Sequence, residues 1–218
     1  MKDIQGTHRL HLLDQTLDLL PQRAIYWREE QTLIVADVHL GKAQTFQRAG
    51  LAVPGDTLMH DLARLEEMLA ATSAQRLLVL GDFVHHRSGL TSAVREIICE
   101  WCNRLNTELR VILGNHDRPN RHFLAGLPLV LQDISWQCGP FEFAHERIAS
   151  DRFCFIGHLH PVLTLRTLRL PVFAFYSDHC VLPAFSYFTG GWPIERSKLI
   201  QAFVPLEDEI LVCSIGHA

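Results

Sequence analysis

The chain has 218 residues, 48% of them apolar and 20% charged, and a formal net charge of −4. That composition is globular and excludes a disordered or fibrous chain, and no run approaches the ~18 apolar residues of a membrane span. The acidic balance offers no basic footprint, which counts against a nucleic-acid partner unless bound divalent cations invert the local field.

The opening stretch MKDIQGTHRLHLLDQ scatters its charges and has no secretory core, so a cytoplasmic location is expected. AIYW (24–27) and TLIVAD (32–37) read as strands, the second a continuous apolar run of the fully buried kind. Leu58, Leu62, Leu65 and Leu69 fall on one helical face, with Gly55-Asp56 as the start signal. RLLVLGD (76–82) is a second buried strand. Val94, Ile97, Ile98, Trp101 and Leu105 mark a second amphipathic helix, and LRVILGN (109–115) a third buried strand. Alternating strand and helix predicts parallel βαβ units. Further on come LPLVLQD, PFEFAH, RFCFIGH, LPVFAFYS, CVLPAF, LIQAFVP and EILVCSI, short apolar runs split by turn residues. They predict a more antiparallel, hairpin-rich half. Two sheets packed face to face with helices outside accommodate both halves. No linker, strong repeat or low-complexity tract is visible, so one domain over residues 1–218 is expected.

Polar residues collect where the apolar runs stop. Asp37 and His39 follow one run, Gly81-Asp82 the next, Gly114-Asn115-His116-Asp117 the third, and Gly157-His158-Leu159-His160 a later one. A parallel sheet brings such ends to one edge, where open α/β folds bind ligands. An aspartate after a strand is by itself an ordinary turn residue; four such ends together point to one site. Carboxylates with imidazoles and no thiolates suit manganese, iron or zinc, and the chain has thirteen histidines. Two neighbouring ions need a bridging group, for which Asp82 is the candidate, while Asn115 supplies a neutral oxygen. Two metals roughly 3.5–4 Å apart hold a hydroxide and clamp a phosphoryl group for in-line attack. His116, adjacent to Asn115 and so pointing elsewhere, is free to act as a general acid. His8, His11, His60 and His217 receive no role. Cys99 and Cys102 form a lone CxxC inside a helical pattern and are read as buried thiols rather than a redox or metal pair.

The set DxH, GD, GNHD and GHxH, in this order over residues 37–160, resembles the calcineurin-like metallophosphoesterase superfamily. The resemblance implies an α/β fold, a four-layer α/β/β/α sandwich of two packed mixed sheets flanked by helices, and a phosphoesterase with two divalent metal ions. Carried over, Asp37, His39, Asp82 and His160 hold one ion. Asp82, Asn115, His158 and a further histidine hold the other. His116 assists the leaving group and Asp117 orients it. The further histidine falls between GNHD and GHLH, where the chain offers His122 and His145; His145 is taken because it ends the apolar run PFEFA.

A more local likeness narrows this. DVHLGKAQTFQRAGLAVPGDT, GHLHPV and VLPAFSYFTGG resemble the ligase-associated group of bacterial metallophosphoesterases. That implies a manganese-dependent DNA endonuclease in DNA repair, with iron or zinc as alternative metals, single-stranded DNA as the expected substrate, and a DNA ligase or helicase as functional partner. Only 58 residues follow His160 and they read as strands, so no capping domain is expected and the site should be open. Lys42, Arg48, Arg87, Arg118 and Arg121 are the basic candidates for phosphate contact, and His85 and His86 could face the substrate. Two other functions compete. A small-molecule or lipid-linked phosphoesterase or pyrophosphate hydrolase would need an apolar lid, for which no segment stands out. A metal-bound scaffold for a repair partner would show a degenerate ligand set.

Overall fold

Leu33, Ile34 and Val35 are all fully buried. A strand sends neighbouring side chains to opposite faces, so the sheet carrying this run must be covered on both. The computed structural model, which describes residues 4–213, shows what covers each face.

The first sheet has seven strands in chain order: β1 (His8–Leu12), β2 (Gln15–Leu20), β3 (Ala24–Trp27), β4 (Thr32–Val35), β5 (Arg76–Leu80), β6 (Glu108–Ile112) and β7 (Val130–Gln132). The first four pair antiparallel, and β4 to β7 pair parallel. Helices α1 (Lys42–Arg48), α2 (Thr57–Thr72), α3 (Ser92–Arg104) and α4 (Arg121–Leu124) lie in the connections. Val35, Val79 and Val111 pack on Leu62 and Leu65 of α2 and on Ile98 and Trp101 of α3. The opposite face, with Ile34, Leu78 and Ile112, meets Phe141, Phe143, Phe155, Phe173 and Phe203 of the second sheet. Phe141 meets Phe155 edge-to-face at 5.0 Å and Phe143 stacks on Phe155 at 5.6 Å, both arrangements that aromatic quadrupoles allow.

The second sheet contains β8 (Ser135–Cys138), β9 (Phe141–Ala144), β10 (Phe153–Ile156), β13 (Phe173–Phe175), β14 (His179–Val181), β16 (Gln201–Pro205) and β17 (Ile210–Cys213). It is mixed: β9, β10 and β14 are parallel neighbours, and the flanking pairs are antiparallel. A small third sheet joins β12 (Leu168–Pro171), β11 (Pro161–Leu165) and β15 (Trp192–Pro193). Its Leu163, with Val172 and Leu199, covers the outer face of the second sheet over Cys154, Ile156 and Ala174. Beyond α4 the described residues contain no α-helix. The two large mixed sheets are therefore as expected, with loops and the small sheet forming the outermost layer on that side.

The β1–β2 hairpin, α1, α4, β8, β11 and β15 lie outside the sequence reading. Strand β1 alternates part-buried and exposed residues and includes two histidines and an arginine, so its apolar signal is weak, and the buried run of β2 is broken by Asp18. Helix α1 has only seven residues. The run LPLVLQD contributes β7 to the first sheet rather than to the second. His8 and His11 lie on β1 and His60 is exposed on α2, all outside the metal-donor groups found among the described residues, while His217 lies outside the described residues. Cys102 is buried on the core face of α3 with Cys99 packed beside it, and burial pushes the Cys102 thiol up to about 12. No helix among the described residues is long and apolar enough to cross a membrane.

Candidate metal centre

Because β4, β5 and β6 are parallel, their carboxyl ends open at one edge, and Asp37, Asp82 and Asn115 follow within three residues of those ends. In the second sheet the parallel pair β9 and β10 ends at Ala144 and Ile156, placing His145 and His158 on the same site. The backbone bends sharply there. Asp37, His39, Asp82, His158 and His160 have φ between 45° and 66°. For a residue with a Cβ this left-handed conformation costs of order 1–3 kcal/mol. Five of the eleven non-glycine residues that adopt it among the described residues are these five. His158 and His160 thus converge from a tight loop rather than from one face of a strand. The loops are tied to each other: His39 N–H donates to the Asp82 carbonyl at 2.8 Å, and His158 N–H donates to the Asp37 carboxylate at 2.9 Å.

The glycines of the motifs clear space for these side chains. Gly81 has φ 77°, and a Cβ there would lie 2.2 Å from His145 Nδ1. A Cβ on Gly114 would lie 2.1 Å from Asp82 Oδ1. Gly114→Ala is therefore expected to push Asp82 aside and lower phosphoesterase turnover by roughly 100-fold or more, as a displacement near 1 Å at a reacting centre does. Hydrolysis of an aryl phosphodiester checks this; retention of more than half the activity would show that the loop relaxes around the methyl group.

Six of the thirteen histidines gather round two carboxylates. Donor atoms of Asp37, His39 and His160 lie within 4.8 Å of one another, as do those of Asp82, His145 and His158. Asn115 Oδ1 is 3.0 Å from His145 Nε2. The imidazoles are oriented from behind. His145 Nδ1–H donates to the Leu80 carbonyl at 3.0 Å, His160 Nδ1–H to Gly190 at 3.2 Å, and His116 Nδ1–H to His85 at 3.1 Å. Each such bond leaves Nε2 with a lone pair facing the site, the usual support for a metal-binding histidine.

Electrostatics asks for positive charge. Burial, reinforced by Asp37, pushes the Asp82 carboxyl up to about 7. Burial also lowers His39 strongly, His85 to about 3, and His116 and His158 below the usual range, with neighbouring cations adding to it. His39, His85, His116 and His158 are thus held neutral, as metal ligands must be, and the two carboxylates repel each other unless a cation lies between them. The fit to divalent ions rests on this donor chemistry: oxygen and nitrogen atoms converging on one desolvated space, with two carboxylates and a single nearby cation, Lys42.

The structure brings together Asp37, His39, Asp82, Asn115, His116, His145, His158 and His160. His122 is exposed on α4 and takes no part. Asp117 is fully buried, and its carboxylate accepts from three backbone N–H groups, those of Phe83 (3.2 Å), Val84 (3.0 Å) and Gly114 (3.0 Å). It therefore ties the two loops together, whereas the His116 ring is oriented by the His85 carbonyl. Burial raises Asp117 to about 6 despite these bonds. His85 stacks on His116 at 4.6 Å, while His86 is exposed and bonded to Ser88. Among the basic candidates Lys42 reaches the site, bonding Thr189 Oγ1 at 3.1 Å, its pKa lowered by burial and partly restored by Asp37 and Asp82. Arg118 and Arg121 bond Asp133 instead.

The segment VLPAFSYFTGG (181–191) acts as a strap beside the cluster. Arg64 lies over the rings of Phe185 and Tyr187 at 4.0 and 3.8 Å, and Arg23 donates to the carbonyls of Ala184 and Ser186. So fixed, the strap presents Thr189 to Lys42 and the Gly190 carbonyl to His160. Its only sequence signal is the likeness of the motif itself.

A two-sheet sandwich with this cluster at its edge is the arrangement of the calcineurin-like phosphoesterases. The sequence profile of that family matches residues 31–202, and the chain belongs to it: it is a metal-dependent phosphoesterase of a family that uses a dinuclear divalent-metal site. Among solved structures, the nuclease MPE of Pseudomonas putida is similar at 36% sequence identity, over 94% of this chain and 100% of that one, with a TM-score of 0.84. No curated protein sequence matches significantly.

Proposed function

We propose that this phosphoesterase is a phosphodiesterase that cleaves DNA, single strands in particular, with two manganese ions. Asp82 carries the reading. Its Oδ1 is 3.6 Å from His145 Nε2 and its Oδ2 is 3.9 Å from His39 Nε2, so one carboxylate faces both donor sets and can bridge two cations. Asp37, His39, Asp82 and His160 would hold one ion, and Asp82, Asn115, His145 and His158 the other. The similar Pseudomonas putida protein is a nuclease, which supports a polynucleotide substrate. Asn115 is exposed at the site's edge, which fits an uncapped single domain open to a polymer. Six free cysteines fit a reducing cytoplasm, and a place in DNA repair beside a ligase or helicase follows from the same reading.

When bound, two divalent cations would supply a nucleophilic water at neutral pH and neutralise the phosphoryl oxygens. The chain's own groups do the rest. Asp82 and Asp37 orient the donor sets, and Lys42 stands ready for a non-bridging phosphate oxygen. As water adds to phosphorus, the bond to the leaving oxygen breaks and that oxygen needs a proton. Burial lowers the His116 pKa, so the ring rests neutral with its proton on Nδ1, held by the His85 carbonyl; it takes up a proton at Nε2 from solvent, to which 32% of the side chain is open, and passes that proton to the leaving oxygen.

The test is cleavage of labelled single-stranded circular DNA by metal-stripped protein, with and without added Mn²⁺, beside an aryl phosphodiester and its monoester. Nicked circles only with Mn²⁺ are the expected result. Aryl-diester hydrolysis with intact circles would keep the phosphoesterase and discard the nuclease.

A further inference from the structure

An acidic chain that handles DNA must draw affinity from something other than a basic footprint. Beside the metal centre lies a groove of about 700 Å³ that the candidate ligands do not line. Its volume is in the range of small-ligand sites. Leu159, between His158 and His160, forms one wall and is 48% exposed. Trp192 forms another and is 73% exposed, yet its backbone is fixed, its N–H donating to the His160 carbonyl at 3.1 Å. Tyr176 stacks on His179 at 4.5 Å along the floor. Arg147 and Lys198 lie on the rim with Asp178 and Glu195. Arg147 pairs with Asp178, whereas Lys198 has no ion pair among the described residues.

We propose that this groove binds the unpaired bases of nucleotides flanking the scissile phosphate, with Trp192 as the stacking platform. A large rigid indole left in water next to a catalytic centre is a stacking surface that every base can use. The near-balanced rim charge suits bases rather than a row of phosphates, which are left to the metal side and to Lys198. The hydrogen bond from Trp192 to His160 sets the platform at a fixed reach from the scissile bond. The inference rests on the reading of the site as a DNA phosphodiesterase.

The test compares wild type, Trp192→Ala and Trp192→Phe with Mn²⁺ on a single-stranded oligonucleotide and on a small aryl phosphodiester. Loss of one base stack is expected to raise KM for the oligonucleotide roughly 5- to 100-fold in Trp192→Ala. The ratio of kcat/KM on DNA to that on the aryl diester should fall in parallel, and Trp192→Phe should restore most of both. An unchanged KM and ratio in Trp192→Ala, with DNA still cleaved, would overturn the base subsite and leave the nuclease standing; that is also the result expected if the groove takes a protein segment. Wild type that hydrolyses the aryl diester but neither binds nor cuts the oligonucleotide would overturn the nuclease reading, and the base subsite with it.

Discussion

Replacing Asp82 with alanine is expected to lower phosphodiester hydrolysis by about a thousandfold or more, because on the proposed reading Asp82 bridges the two ions and its loss forfeits several kcal/mol of transition-state stabilisation. The same variant should bind fewer ions per chain, read by metal analysis after dialysis against Mn²⁺. Folding should survive. In the metal-free protein the Asp82 carboxyl is held up to about 7 by burial and by Asp37, so its removal relieves a desolvated, repelled charge. The loss on the other side is one hydrogen bond, from His116 N–H to Oδ1 at 2.9 Å, worth about 1 kcal/mol. The metal-free melting temperature is therefore expected to stay within a few degrees of the parent, while the rise produced by Mn²⁺ shrinks. Hydrolysis persisting near the parental rate would remove Asp82 from the bridging position. A variant that restored repair in a deletion strain as fully as wild type does would favour the scaffold reading over an enzyme.

The legible parts of this site were those written in short-range pattern. Buried strands such as TLIV and RLLVL are continuous apolar runs, and each motif begins within three residues of a strand end. His145 could be preferred over His122 because a strand end leads to the sheet edge and an exposed helix surface does not. What stayed hidden depends on contacts distant in sequence. The strap at 181–191 is fixed by Arg23 and Arg64, and nothing in VLPAFSYFTGG announces cation–π partners more than a hundred residues away. His85, read from the sequence as a residue that could face the substrate, joins the cluster through contacts with His39 at 3.3 Å and His116 at 4.6 Å that its position does not announce. The left-handed backbone at Asp37, His39, Asp82, His158 and His160 is invisible as well, since aspartate and histidine at a strand end do not specify φ. Trp192 belongs to a two-residue strand that pairs with β11, too short to show a period.

Asp117 illustrates how far a motif residue can act from where the motif suggests. It follows His116 directly, yet its carboxylate is spent on three buried N–H groups from two loops, those after β5 and β6. Alanine leaves all three donors unmatched, at about 1–3 kcal/mol each, so a loss of about 3–5 kcal/mol is expected. For a chain of this size about 2–4 °C accompanies each kcal/mol, and the metal-free melting temperature should fall by roughly 10 °C. Asparagine is the sharper probe. It keeps one oxygen acceptor, but its amide N–H groups must face at least one of the three donors, so an intermediate fall is expected even though shape and volume are retained. Activity should fall in both variants, because the Phe83 and Val84 amides sit directly after Asp82 and the Gly114 amide directly before Asn115. Calorimetry on the metal-free proteins separates the two roles. Melting with the parent while activity alone collapses would mean that Asp117 acts on the chemistry of His116. A fall in melting temperature graded from asparagine to alanine would mean that it holds the two ligand-bearing loops at a common edge.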